Sequence, residues 1–322
     1  MDAKSRFASL WILLLSAISS AALAEPFRFV ALGDMPYRLP DDVRKVDRLI
    51  NKINALSPAF SVHVGDTKSG STPCTDDAFQ KILNQLQTFE QPLVYTPGDN
   101  EWTDCHRAKA GGYDPRERLT RIREMFFAKP RESLGRQPMA LETQADAGEK
   151  HKVFVENTRF TKNGVLFVQV HVVGSNNGFE PRDLATVKEY FARNAANIAW
   201  LDAGFAKAIA VKAKAVVISM QANMYEIRQK WPAMPRASGF LATVKAITRG
   251  AKKFSRPVLV INGDAHTLEV LPFKGTNLRD VPNVTRLQVM GARQVHAVEV
   301  TVDPDSPGVF AFRPLIVPEN NG

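Results

Sequence analysis

Phe29-Val30-Ala31-Leu32-Gly33-Asp34 is the stretch on which the fold turns. A short apolar run ends in a glycine and an aspartate. The figure recurs at Ser61-Val62-His63-Val64-Gly65-Asp66, at Leu93-Val94-Tyr95-Thr96-Pro97-Gly98-Asp99 and at Val258-Leu259-Val260-Ile261-Asn262-Gly263-Asp264. Apolar, β-branched runs of this length read as buried strands. The glycine lets the chain turn sharply at the strand end. The aspartate then stands at the carboxyl edge of the sheet, where open α/β sheets bind their ligands. Carboxylates gathered on one edge repel each other unless something positive sits among them, and a divalent metal is the usual answer.

Working outward from these runs, strand and helix signals alternate through the first third. Asp41-Asp42 opens a helix with Val46, Leu49, Ile50 and Ile53 on one face. Thr75 or Asp76 caps the next, with Phe79, Ile82, Leu83 and Leu86 on its apolar face. This βαβαβ order implies parallel strands joined by helical crossovers. Residues 108–150 are polar, with a helix expected over Arg116–Phe127. Lys152–Asn157 and Val165–Val173 read as strands around Lys162-Asn163-Gly164, since Asn-Gly is a hairpin signal. A long helix is expected from Pro181 to Ala208, a strand over Ala215–Met220 and a helix over Phe240–Phe254. Alternating strands close the chain at Thr267–Phe273, Val284–Met290, Val295–Val302 and Val309–Pro314. No linker divides the chain and no repeat is visible. The expectation is one α/β domain over residues 25–322, with two sheets face to face and helices outside.

Lys4 and Arg6, the apolar run Leu10–Ile18 and the small-residue site Ala22-Leu23-Ala24 read as an export signal over residues 1–24. The apolar run is short for a membrane span, so the mature chain is expected to be secreted or periplasmic with no stable span. The net charge of +9 is scattered rather than clustered with exposed aromatics, which does not support nucleic-acid binding. Export also makes the two cysteines, Cys74 and Cys105, a disulfide pair. A two-cysteine metal site is the alternative, disfavoured by the oxygen-rich neighbours. His63 and His171 lie inside apolar runs and read as packed histidines, and Gly174-Ser175-Asn176-Asn177-Gly178 reads as a plain turn.

The order of these motifs resembles the calcineurin-like metallophosphoesterases, which include the purple acid phosphatases. The resemblance spans residues 27–273 in motif order and implies a four-layer α/β/β/α sandwich of two mixed sheets, with an insertion at about 101–180 and a two-metal site at the strand ends. Gly33-Asp34 matches the first motif, although Pro36 stands where that family often has a histidine. Gly65-Asp66 matches the second, whose aspartate bridges both ions. Gly98-Asp99-Asn100-Glu101 resembles Gly-Asn-His-Glu, with Asp99 in the ligating place and Asn100 in that of the histidine that protonates the leaving group. Met220 or Gln221 falls where a ligating histidine is expected, and Gly263-Asp264-Ala265-His266 resembles Gly-His-x-His.

On that register the metal ligands would be Asp34, Asp66, Asp99, Asp264, His266 and Gln221. An oxygen-rich set suits Mg²⁺, Mn²⁺ or Ca²⁺ better than Zn²⁺ or Fe. Two such ions would activate a water against a phosphorylated small-molecule substrate, making the chain a metal-dependent phosphoric ester hydrolase. Lys68 and Arg107 are candidate substrate-side cations, beside the alternative of plain surface charge. Asn100 donates a hydrogen bond but delivers no proton; Asp99 or Asp264, if protonated by crowding, could substitute as the acid, with His106 a weaker candidate. The missing imidazoles support a second reading: a catalytically degenerate binding protein on the same fold.

Overall fold

A computed structural model of the chain describes residues 25–180, 182–225 and 238–321. The proposed export signal at 1–24 and Pro181, the expected start of the long helix, lie outside the described residues.

Among the described residues the strands form two sheets. The first has the order β12-β11-β1-β2-β3, built from β1 Phe27–Leu32, β2 Ser61–His63, β3 Leu93–Tyr95, β11 Ala297–Val302 and β12 Phe310–Leu315. The second has the order β4-β5-β6-β7-β8-β10-β9. Its strands are β4 Glu142–Thr143, β5 Thr158–Lys162, β6 Val165–Gln169, β7 Ala215–Ser219, β8 Val258–Asn262, β9 Glu269–Lys274 and β10 Asp280–Gln288. β1, β2 and β3 run parallel, as do β6, β7 and β8, while β11, β12, β5 and β9 pair antiparallel. Both sheets are therefore mixed.

Side-chain alternation explains why the sheets stack. Phe27, Phe29 and Ala31 of β1 join Val165 and Phe167 of β6, Ala215 and Val217 of β7 and Leu259 and Ile261 of β8 in the core between the sheets. The residues between them point outward. Val30 and Leu32 meet the helices Asp41–Leu56, Asp76–Leu86 and Pro115–Phe126 through Leu49, Ile53, Phe79 and Ile122. Leu166, Val216 and Val260 meet Leu184–Ala210 and Leu241–Phe254 through Leu201, Phe205 and Ile247. Three apolar layers thus separate four layers of structure, the expected α/β/β/α sandwich.

Local signals set most helix starts. Thr75 accepts from the Ala78 N–H, and Asp183 from the Thr186 N–H, satisfying N-terminal amides. One strand is displaced from its expected place. Lys152–Asn157 forms turns, and the strand before Asn163-Gly164 is Thr158–Lys162. Asn163 and Gly164 both have positive φ, at 44° and 77°. Such a two-residue turn pairs the residues immediately flanking it, Lys162 with Val165, and so fixes the partner strand.

Cys74 and Cys105 are bonded, with their Cα atoms 5.9 Å apart. The bond ties the loop after β2 to the loop after β3. A cross-link over 31 residues restricts the unfolded chain by roughly 3–4 kcal/mol in the loop-entropy account. The double variant Cys74→Ser, Cys105→Ser is expected to lose about 3 kcal/mol of unfolding free energy in urea melts; an unchanged midpoint would show that the bond constrains neither state.

Candidate functional site

The carboxyl ends of β1, β2 and β3 meet those of β6, β7 and β8 at one edge of the sandwich, and the Gly-Asp turns lie there. Asp34, Asp66 and Asp264 take left-handed φ values of 55°, 56° and 74°, and His266 one of 66°. Non-glycine residues seldom adopt these values, and they cluster where the surrounding structure over-determines the chain. The glycines serve approach as much as turning. A Cβ on Gly98 would collide with the Asp66 carboxylate, and one on Gly263 with that of Asp34. Each of these two glycines leaves room for the aspartate of another motif.

The four carboxylates are brought together and are held by the protein's own donors. Asp34 accepts the Asp264 N–H on both oxygens, at 3.0 and 3.1 Å. Asp66 Oδ2 accepts from the Tyr37 hydroxyl and from Asn100 Nδ2, both at 2.8 Å, and its Oδ1 accepts the Asn100 N–H at 3.1 Å. Asp99 Oδ2 accepts from Ser175 Oγ at 2.8 Å, and Asp264 Oδ2 accepts the Asn223 N–H at 3.0 Å. Gln221 turns its side-chain oxygen onto the Gly174 N–H at 2.5 Å. His266 Nε2 lies 3.8 Å from Asp34 Oδ1, and its ring stands edge-on to Tyr37. Its side chain is 34% exposed, whereas Asp34, Asp66, Asp99 and Asn100 are buried.

This arrangement overturns the expected metal centre. Among the described residues no group of three or more His, Cys, Asp or Glu is placed to hold a metal ion. A hard cation needs several oxygens converging at about 2.0–2.6 Å. Here at least one oxygen of each of Asp34, Asp66, Asp99, Asp264 and Gln221 accepts from an N–H or O–H group instead. The expected pair of Mg²⁺, Mn²⁺ or Ca²⁺ ions, the description as metal-binding and the reading as a metal-dependent phosphoesterase are corrected accordingly. Without that centre, the catalytic roles expected for Asn100 and Asp99 have no metal-activated water to serve. Asn100 is instead a hydrogen-bond donor to Asp66 and to the Tyr37 hydroxyl.

Neutral donors alone leave the carboxylates crowded, and their acidity responds. Burial pushes the Asp34 and Asp66 carboxyls well above the usual range, and neighbouring carboxylates, Asp264 for the first and Asp99 for the second, push the same way. Burial, then the Asp66 charge, also raises the Tyr37 phenol. Asp104, four residues past Asn100, is raised to about 7 by burial and by Asp99, against the opposing Arg107 guanidinium 2.5 Å away. Ser175 Oγ lies 2.9 Å from Asp104 Oδ1 and 2.8 Å from Asp99 Oδ2. A hydroxyl donates one proton, so a protonated Asp104 completes this chain of contacts.

Some site residues carried weaker signals in the sequence. The stretch 174–178 is a left-handed turn, not a plain one: Ser175, Asn176 and Asn177 have φ of 50°, 57° and 58°. Its Ser-Asn-Asn-Gly composition tolerates those values, which was the available signal. Glu101, buried, accepts from the Thr67 N–H and hydroxyl and from the Tyr95 hydroxyl. Lys68, read as a substrate-side or surface cation, is buried, with Nζ on the Ser69 and Thr72 carbonyls. Arg107 is 48% exposed beside Asp104 and Ser175. His63 is packed as expected: its Nδ1 accepts the Gly65 N–H, and burial lowers its pKa to about 3.

No protein-family model and no curated protein matches the sequence. Solved structures do match the fold. A dimetal phosphatase from Danio rerio superposes with a TM-score of 0.54 at 10% identity, over 91% of this chain and 99% of that one. GAP50, the anchor in the inner membrane complex of Plasmodium, gives 0.48 at 13% identity over 91% and 89%. Purple acid phosphatase PPD1 from yellow lupin seeds gives 0.49 at 12% identity over 92% and 55%. The chain is thus a divergent fold relative of the calcineurin-like metallophosphoesterases. At these identities the likeness concerns the fold alone.

The raised carboxyls fix the sign of a pH response. Folded Asp34, Asp66 and Asp104 are weaker acids than unfolded aspartates, whose pKa is about 3.9. Their contribution is complete below about pH 3.9 and is lost as pH rises through the folded values. His63 acts oppositely, but only below its unfolded value of about 6.5. The Lys68 ammonium, lowered by burial, adds stability only toward the lysine range. The melting temperature is therefore expected to fall between about pH 6.5 and 7.5 as folded Asp104, raised to about 7, gives up its proton, less steeply in Asp104→Asn. Calorimetric scans that stay flat or rise across this window would contradict the assignment.

Proposed function

We propose that this chain is a catalytically degenerate binding protein on the metallophosphoesterase fold. The observation that carries it is the use of the converging carboxylates as acceptors for internal donors, with no group among the described residues placed to hold a metal. A phosphorylated small molecule is the ligand class to test first, because the Arg107 guanidinium is half-exposed at the rim beside Ser175. Residues 25–322 serve as a single domain in this reading, and residues 1–24 as a cleaved export signal to the periplasm or exterior. Among the described residues no helix is long and apolar enough to cross a membrane.

Isothermal titration of the mature protein with Mg²⁺, Mn²⁺, Ca²⁺ and Zn²⁺, and assays with aryl phosphates, test the central claim. No saturable metal uptake and no metal-dependent turnover are expected. Turnover that requires a metal and disappears in Asp66→Asn would restore the enzyme reading. Export is tested separately: N-terminal sequencing of the protein recovered outside the cytoplasm is expected to begin at Glu25, and a chain still beginning at Met1 would remove that part of the proposal.

A further inference from the structure

We propose that the side chains of Tyr37, Asn100 and Ser175 form a plug of neutral donors that fills the carboxylate centre and keeps cations out of it. The inference rests on the degenerate reading above and supplies its cause. The acidic residues that would attract an ion are present. What differs from a cation site is where their oxygens are directed.

The three donors come from separate segments. Tyr37 follows β1, Asn100 follows β3, and Ser175 sits on the left-handed turn after β6. Tyr37 and Asn100 act as a unit. Both donate to Asp66 Oδ2, and Asn100 Nδ2 also reaches the Tyr37 hydroxyl at 2.9 Å. Two donors on one oxygen, with the Asn100 N–H on the other, use most of the lone-pair directions a carboxylate offers. Ser175 places one hydroxyl on Asp99 Oδ2, between it and Asp104 Oδ1.

The placement of Ser175 is held against backbone preference. Three consecutive non-glycine residues with left-handed φ persist only where the surroundings fix them. The fully buried Arg193 does so, donating to Asn177 Oδ1 at 2.7 Å and to the Asn177 carbonyl at 2.8 Å. The Gly239 N–H adds a bond to Asn176 Oδ1 at 2.8 Å. Arg193 is accordingly a positioning residue for the plug, acting through the turn rather than on the carboxylates. The turn held in this way sets the Ser175 hydroxyl against Asp99.

The plug can be withdrawn without changing the carboxylates. Tyr37→Phe and Ser175→Ala each delete one hydroxyl and nearly keep the side-chain shape. Tb³⁺ is a suitable probe, a hard cation that prefers oxygen ligands and whose emission the nearby indole of Trp102 can sensitise. Removing two donors from the carboxylates is expected to strengthen Tb³⁺ binding by at least about 10-fold over the wild type. Adding Asp66→Asn to the double variant is expected to abolish the gain. A double variant that melts cooperatively and shows no gain overturns the plug, and so does a gain that survives Asp66→Asn. If the double variant does not fold, Tyr37→Phe alone is expected to give about a 3-fold gain or more, and its absence in folded protein overturns the plug equally. Tight, one-to-one binding by the wild type is a separate result, which would overturn the degenerate reading itself.

Discussion

Like charges cannot be gathered at a dry sheet edge without compensation, and the rest of this structure is arranged around that constraint. Asp34, Asp66, Asp99 and Asp264 converge because parallel strands of two stacked sheets end at the same edge. Burial of several ionised carboxylates together would cost several kcal/mol per group. The chain meets this with donors and protons. Backbone amides serve Asp34 and Asp264, side-chain donors serve Asp66 and Asp99, and burial weakens the acidity of Asp34 and Asp66. The left-handed turn at 175–177, the close seating of Asp66 against Gly98 and the buried Arg193 all follow from this arrangement.

The departures from the metallophosphoesterase pattern fit one another. On the register that the resemblance implies, Pro36, Asn100, Met220 or Gln221, and Asp264 stand where that pattern has imidazoles. An imidazole offers a neutral nitrogen lone pair to a metal, while an amide such as Asn100 offers N–H groups to a carboxylate. Exchanging the first for the second converts a centre that needs ions into one that supplies its own donors. Three apolar layers run beneath this edge and hold the fold together.

A second buried network explains how the third-motif loop is kept rigid. Trp102 donates its indole N–H to His171 Nε2 at 3.1 Å, and the opposite ring nitrogen meets Glu156 at 2.8 Å. Arg123 completes the chain on Glu156. Burial alone would raise the Glu156 carboxyl, but the charge of Arg123 and the bond from His171 hold it below its ordinary range. The loop that carries Asp99 and Asn100 is thereby fastened to the second sheet, and the disulfide fastens it to the loop after β2.

The sequence by itself determined the strands, the order of parallel crossovers, the two-sheet architecture and the meeting of four aspartates. Each follows from local pattern: continuous apolar runs such as Val258–Ile261, capped helices and glycine turns that report their own geometry. It also determined the cysteine pair and the packed His63. The strand Thr158–Lys162 was misplaced because a hairpin's register is set across the turn and not within the strand. Whether the aspartates hold ions or donors was decided only by tertiary structure. That outcome depends on which side chains arrive from distant loops, Tyr37 from after β1 and Ser175 from after β6, and on ångström-scale directions of oxygen lone pairs. Residue type and spacing fix neither. A carboxylate reads the same in sequence whether it faces a cation or a hydroxyl.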